Sequence, residues 1–376
     1  MTEKSKEEVV SPAKSERQLK NGVKALNDAL LKLKEQEHCR VALFTHRMPD
    51  PDAISSLMGL KWFLLKNYDI ESDIFYDGEV AHPQNMTLVN LLDPSMVKVS
   101  DHDAGYKPDK YQFTMLADTV PEVAGTGDHH IDFDVVFDHH KVIPHNFDGI
   151  LIHRKVGSCA AIIYDIIRQI MSSDHENWFD DDIDYDTKVA TAMIAGVMTD
   201  CNFCLADDST EYDRRAVDEL FPFRNSGFLH QIVFFKRPKF WIDTKARGCA
   251  EADINEEGFA IVGLGLIPSK ERDLIADMAE EMISWASVET AVAFGIVGGD
   301  RIEGSVRSVN ASVNVAEFCK KLGGDRGSGG GKHGKGAYRI PLSPPIDPDE
   351  DAQDVKDTWE ANRKRETKRI RRIIKK

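Results

Sequence analysis

The 376-residue chain has no stretch of about 18 or more apolar residues, so nothing in it reads as a membrane-spanning helix. The amino-terminal MTEKSKEEVVSPAKSERQLK is charged and lacks the apolar segment that directs secretion. Cysteine is sparse, with six residues and no dense or regular spacing. That excludes a disulfide-built scaffold and makes a reducing, cytoplasmic setting the expectation. No internal repeat is visible. Cationic side chains are outnumbered, 48 Lys and Arg against 63 Asp and Glu, for a formal charge of −15. What remains is ordinary for a globular protein, 41% hydrophobic and 30% charged, and the length suits two domains rather than one.

The shortage of positive charge is uneven. RKRETKRIRRIIKK (363–376) carries nine basic residues and one Glu, which leaves the rest of the chain near −23 by difference. Such a tail can touch nucleic acid or another anionic surface, or can be a solvated or partly helical segment with no specific partner. An acidic body can still handle an anionic substrate when bound cations reverse the local field.

Periodicity gives the organisation. VKALNDALLKLKEQE places Val23, Leu26, Leu30 and Leu33 at helical spacing, so residues 1–35 read as a helical extension that could pair with another chain as a homodimer. Strand-like runs at 41–45, 72–77, 112–117, 134–138 and 149–153 alternate with helical patterns at 54–66, 158–170 and 187–199. That alternation predicts an α/β domain on a mostly parallel sheet over 36–222. A linker is expected at 223–256. A smaller α/β domain follows at 257–341, with strands at 259–266, 290–299 and 301–309, helices at 272–286 and 314–322, and a glycine-rich loop at 323–337. An acidic, proline-rich linker and the basic tail complete the chain over 342–376.

Four apolar elements of the first domain end in Asp, His or both. HRMPDPD brings His46, Asp50 and Asp52 out of the first strand. Asp118 ends QFTMLA, Asp138-His139-His140 ends DVVF, and Asp200 ends the apolar helix at 187–199. A buried strand that ends in Asp is costly unless the Asp is paired or ligated. Hard divalent ions prefer carboxylate oxygen, and Mn²⁺ also accepts imidazole. For Asp52 a plain helix-capping role is the alternative. A second string, Asp128-His129-His130, follows turn-like AGTG and is expected to be a solvated loop. Cys201 and Cys204 are expected to be a packed thiol pair, because no second Cys pair stands near them to complete a zinc site.

In this order the motifs resemble the DHH phosphoesterase superfamily, in the branch with a DHHA1 carboxy-terminal domain. The match runs from about Arg40 to Ile340 through HRMPDPDAISS, the Asp in MLADTVPE, VFDHHKV, GVMTD, and RSVN with GSGGGKHGKGA. The nearest branch is that of nanoRNases, phosphoadenosine-phosphate phosphatases and cyclic-dinucleotide phosphodiesterases. The resemblance implies a DHH catalytic domain and a DHHA1 substrate-binding domain with a cleft between them. It also implies two divalent ions, Mn²⁺ by preference with Mg²⁺ or Co²⁺ as alternatives, about 3.5–4 Å apart. One ion would be held by His46, Asp50 and Asp118, the other by Asp52, Asp118, His139 and Asp200, with Asp118 bridging. Asp138 would orient a His, and His140 would face the scissile phosphate, so that Asp118, Asp138, His139 and His140 form the catalytic set.

Substrate contacts would come from His140, Ser158, Arg307, Ser308, Gly330, Gly331 and His333, with Ser158 alternatively a plain helix cap. Lys332 and Tyr338 depart from the family pattern, which has glycine before the His and small residues closing the motif. The implied activity is hydrolysis of short oligonucleotides to 5′-mononucleotides, and of 3′-phosphoadenosine-5′-phosphate. The alternatives are a cyclic or linear di-adenylate phosphodiesterase, a single-strand exonuclease of the RecJ type, a family II pyrophosphatase, and a non-catalytic nucleic-acid-binding scaffold.

Overall fold

A computed structural model describes residues 12–140, 147–171, 178–180, 183–332, 334–347 and 351–374. The chain divides into two compact units, Met1–Lys236 and Arg237–Lys376. Among the described residues no helix is long and apolar enough to cross a membrane.

The first unit is built on six parallel strands: β1 (Arg40–Phe44), β2 (Glu71–Tyr76), β3 (Met96–Lys98), β4 (Phe113–Ala117), β5 (Val135–Asp138) and β6 (Ile150–His153). Their order is β3-β2-β1-β4-β5-β6. The chain therefore winds outward in one direction from β1 and then in the other from β4. This leaves a crevice beyond the carboxyl ends of β1 and β4, where open α/β sheets place their sites. The central strands are apolar runs buried on both faces, as a covered parallel sheet requires.

Helix α1 (Pro12–Lys34) is tied into this unit. Leu19, Val23, Leu26, Leu30 and Leu33 are buried in its core, and the Tyr68 hydroxyl donates to Asn27 Oδ1 at 2.7 Å. The apolar stripe expected to pair with another chain is thus covered by the chain's own core. Helices α2 (Pro51–Phe63), α3 (Pro83–Leu92), α4 (Cys159–Met171), α5 (Asp184–Asp200), α6 (Glu211–Leu220) and α7 (Ser226–Val233) complete the unit.

Helix α2 is buried almost all round and packs most closely on α5. Their contact depends on Gly196, where an added Cβ would sit 2.0 Å from Ser55 Oγ, 3.0 Å from Ser55 Cβ and 3.1 Å from the Pro51 carbonyl. Rotating the Ser55 hydroxyl alone would not make room. Gly196→Ala is therefore expected to destabilise the protein by about 1–3 kcal/mol through overpacking. Urea denaturation measures this, and an unchanged midpoint would contradict the packing described.

The second unit holds a mixed six-stranded sheet: β7 (Asp253–Ile254), β8 (Phe259–Ile267), β9 (Thr290–Val297), β10 (Arg301–Ser308), β11 (Ser328–Lys332) and β12 (Lys335–Pro341), in the order β11-β12-β10-β9-β8-β7. Only β8 and β9 are parallel. Its helices are α8 (Lys239–Glu251), α9 (Leu274–Met282), α10 (Val315–Gly323) and α11 (Ala352–Ile374).

Two expectations change here, and the tail takes the helical one of its readings. The stretch 223–256 is largely helical: Leu229 and Ile232 of α7 join the first core, while α8 buries Trp241, Thr244, Lys245 and Gly248 at helical spacing. The glycine-rich stretch is not a loop but an edge strand, β11, in a hairpin with β12. At Gly329 an added Cβ would lie 2.0 Å from the Cys319 carbonyl of α10, so only glycine lets strand and helix approach this closely. The basic tail is helical from Ala352 to Ile374 and seats Ile370 in the second core, with Trp359 packed alongside.

Candidate metal centre

The carboxyl ends of β1, β4 and β5 converge with the last turn of α5. The chain leaving β1 carries His46 and turns into α2 at Asp50, the N-cap, whose carboxylate accepts from Ala53 N at 3.0 Å with Pro51 as the first helical residue. Asn85 of α3 donates to the Pro49 carbonyl at 2.9 Å and pins this loop. The capping role considered for Asp52 thus belongs to Asp50. Asp52, the second residue of α2, is buried and accepts from Cys159 N at 2.6 Å and Ala160 N at 2.9 Å, the first N–H groups of α4.

Asp118 sits directly after β4 at φ +63°, a left-handed conformation in which Asp is one of the few tolerated residues, and its N–H donates to the Phe137 carbonyl at 2.9 Å. This places its carboxylate between two histidines. Asp118 Oδ2 lies 3.5 Å from His46 Nε2, and Oδ1 lies 3.3 Å from His139 Nε2. Oδ1 is buried and makes no bond of hydrogen-bonding geometry. Separations near 3 Å are those of neighbouring ligands on one ion bound at about 2.1 Å.

Both histidines are aimed from behind. His46 Nδ1 meets the Arg47 carbonyl at 3.0 Å, and His139 Nδ1 meets the Val156 carbonyl at 3.0 Å. A proton on Nδ1 in each leaves the Nε2 lone pair facing inward, the arrangement of metal-ligating histidine.

Around these two lie the remaining groups. His46 Nε2 is 3.9 Å from Asp50 Oδ1, and His139 Nε2 is 3.4 Å from Asp200 Oδ2. Three sets of ligand atoms fall within 4.8 Å of one another: His46, Asp50 and Asp118; Asp52, His139 and Asp200; and Asp118, His139 and His140. Asp138 is wholly buried; one oxygen holds His140 Nδ1 at 2.8 Å while the other has no partner. His140 is the most exposed of the three imidazoles, at 42% of its side chain. His153, at the end of β6, places Nε2 2.6 Å from the His140 carbonyl.

The electrostatics point the same way. Burial opposes charge on His46, but the carboxylates of Asp118 and Asp50 outweigh it and raise its pKa to about 11. His139 is raised to about 10, against burial, by Asp118, Asp52 and Asp200. Asp118 is held well below the usual carboxylate range, the two histidines overcoming the cost of burial. Burial and the neighbouring charges of Asp118 and Asp200 push Asp52 upward. A buried cluster this acidic calls for cations. Paired imidazole nitrogens and a carboxylate oxygen without a partner fit divalent ions better than protons.

The other sequence-predicted residues fall elsewhere. Ser158 is buried; its Oγ donates to Asp213 Oδ1 at 2.9 Å and accepts from Ala161 N at 3.3 Å, while Gly157 N donates to Asp213 Oδ2 at 3.0 Å. Ser158 Oγ thus serves as a cap of α4, and Asp213 engages both that hydroxyl and the Gly157 N–H. Asp128, His129 and His130 lie in a loop and take part in none of the three ligand sets. Cys201 and Cys204 place their sulfurs 3.6 Å apart as free thiols.

In the second unit Arg307 ends β10, with Nε 2.5 Å from Glu280 Oε2 and Nη1 donating to Ser305 Oγ at 2.9 Å. Ser308 Oγ shares a hydrogen bond with Thr290 Oγ1 at 2.8 Å. Gly330 is the open glycine of β11, with nothing within 4 Å of an added Cβ, whereas at Gly331 the Lys335 carbonyl is 2.4 Å away. His333 lies outside the described residues.

No family model matches the chain. An uncharacterized protein of Methanocaldococcus jannaschii is 26% identical over 322 residues, 83% of this chain and 60% of that protein. The chain thus spans well under two thirds of the curated relative it matches. Among solved structures, an exopolyphosphatase-related protein from Bacteroides fragilis aligns with a TM-score of 0.59 and 13% identity, covering 94% of this chain and 98% of that one. The chain has the two-unit α/β fold of that protein, in agreement with the fold that the DHH/DHHA1 resemblance implies.

Proposed function

We propose that the protein is a two-metal DHH/DHHA1-type phosphoesterase that hydrolyses short oligonucleotides to 5′-mononucleotides, with 3′-phosphoadenosine-5′-phosphate as a smaller substrate and Mn²⁺ as the metal. The observation that carries this reading is Asp118, whose two oxygens divide between His46 and His139. A carboxylate so placed would be a ligand to both ions. His46 and Asp50 would complete one ion's protein ligands, and Asp52, His139 and Asp200 the other's.

When bound, such ions lower the pKa of a water and neutralise charge on the phosphoryl oxygens, which removes the need for a Ser or Cys nucleophile. The chain's own groups do the rest. The Arg47 and Val156 carbonyls fix the two ligating imidazoles. Asp138 holds the Nδ1 side of His140, which turns the Nε2 side away from Asp138 to meet a phosphoryl oxygen. By the resemblance, Arg307 and Gly330 of the second unit would be substrate contacts, a guanidinium and an open backbone that suit a phosphate. All seven metal-site positions that the resemblance requires are filled, which favours an enzyme over a non-catalytic scaffold.

The test is a substrate panel with Mn²⁺: dinucleotides, phosphoadenosine phosphate, cyclic di-adenylate, pyrophosphate, polyphosphate and longer single strands. Dinucleotides are expected to turn over fastest, and His139→Ala should remove the activity. Faster cleavage of cyclic di-adenylate or polyphosphate would reassign the substrate. An undiminished rate in His139→Ala would overturn the site.

A further inference from the structure

From Arg363 to Arg372 the carboxy-terminal helix α11 divides its cations into two groups. One group is used by the fold: Arg363 Nη1 meets Glu251 Oε2 at 2.7 Å, Arg371 pairs with Asp253, and Arg369 Nη2 donates to the Lys321 carbonyl at 3.3 Å. The other group is Lys364, Arg365, Lys368 and Arg372. All four are exposed, and none forms an ion pair among the described residues. Positions i, i+1, i+4 and i+8 fall within one third of the helix circumference, a rail about 12 Å long at 1.5 Å per residue.

This rail adjoins a groove of about 510 Å³ walled by Arg326, Asn362, Arg365 and Arg369, with Asp325 and Glu366 as its carboxylates. Arg326 is also exposed and without an ion pair among the described residues. The chain has 63 acidic residues against 48 basic ones, yet these cations form no ion pair among the described residues. Trp359, the aromatic residue of α11, packs toward Phe294 in the second core and is not offered for base stacking.

We infer that this face of α11, together with the adjoining groove, binds the phosphodiester backbone of single-stranded nucleic acid without regard to sequence. Binding of this kind is electrostatic and releases counterions, so affinity falls with salt in proportion to the number of phosphates engaged. The surface belongs to the second unit alone, and the inference does not rest on the proposed reaction.

Fluorescence polarisation of a labelled oligouridylate of about 15 nucleotides tests it, with the full chain in EDTA across a salt series. Wild-type binding should weaken steeply with salt. Combining Arg326→Gln, Arg365→Gln, Lys368→Gln and Arg372→Gln should weaken binding at least about tenfold and flatten the log–log salt slope by roughly 0.7 for each phosphate that is no longer neutralised. Single Lys368→Gln and Arg372→Gln variants, which alter only exposed side chains, should each remove about one such step. Dinucleotide hydrolysis by these variants in Mn²⁺ should be unchanged. Equal affinity and slope in wild type and the four-site variant would overturn the inference. So would retention of anionic vesicles, or of inorganic polyphosphate, in preference to the oligonucleotide. Because binding is read without divalent ions, failure of the metal-centre reading leaves this test intact.

Discussion

Asp118→Asn is expected to lower Mn²⁺-dependent hydrolysis by about 10³-fold or more while the fold survives. The asparagine keeps the size of the side chain and tolerates the left-handed backbone at φ +63°, which Ala would adopt only under strain. It removes the anionic charge and leaves one oxygen where two are required, so a bridge between ions fails. The loss should exceed the 10- to 100-fold typical of groups that merely orient a ligand. Asp138→Asn, which acts through His140, should fall in that lower range. Rates measured beside thermal melts separate the two cases, and equal losses in both variants would contradict the division of roles.

The overall affinity for loading two divalent ions is expected to rise about 100-fold per pH unit between about pH 7 and 10, about tenfold for each ion. In the metal-free protein His46 titrates at about 11 and His139 at about 10, both above the ordinary histidine value near 6.5. Their folded pKa values are raised, so the stability they contribute is fully present below about pH 6.5. It is lost as the pH rises through about 10 to 11. Each ion must displace one Nε2 proton, so between about pH 7 and 10 loading both positions releases at least two protons, and each ion gains about tenfold in affinity per pH unit. Calorimetry in buffers of different ionisation enthalpy counts those protons. Metal binding at pH 7.5 with no proton release would contradict the protonated His46 and His139 inferred for the metal-free site.

Much of this centre was legible in the sequence because its ligands sit where strong apolar patterns stop. His46, Asp118, Asp138 and Asp200 each follow a run whose buried strand or helix is unambiguous, and the sheet order then gathers those ends at the turn between β1 and β4. What the sequence did not reveal are partners distant along the chain and backbone groups. The capture of Asp52 by the amino end of α4 and the aiming of His139 by the Val156 carbonyl depend on tertiary packing that leaves no local mark. Ser158 was ambiguous for the same reason. Its competitor for a phosphate is Asp213, 55 residues away, placed by a capping box that closes on Thr210. The glycine-rich stretch was misread because the three consecutive glycines of β11 lower strand propensity, whereas Gly329 is what lets β11 lie against α10. The extent of the tail helix was hidden by its charge, which masks the spacing of Trp359, Glu366 and Ile370 along one side of α11.

Anomalous diffraction from crystals of the full chain grown with Mn²⁺ tests the central claim most directly. Two peaks about 3.5–4 Å apart are predicted, each approached by one oxygen of Asp118, with His46 on one ion and His139 on the other. A single peak, or manganese bound away from Asp118, would contradict the account.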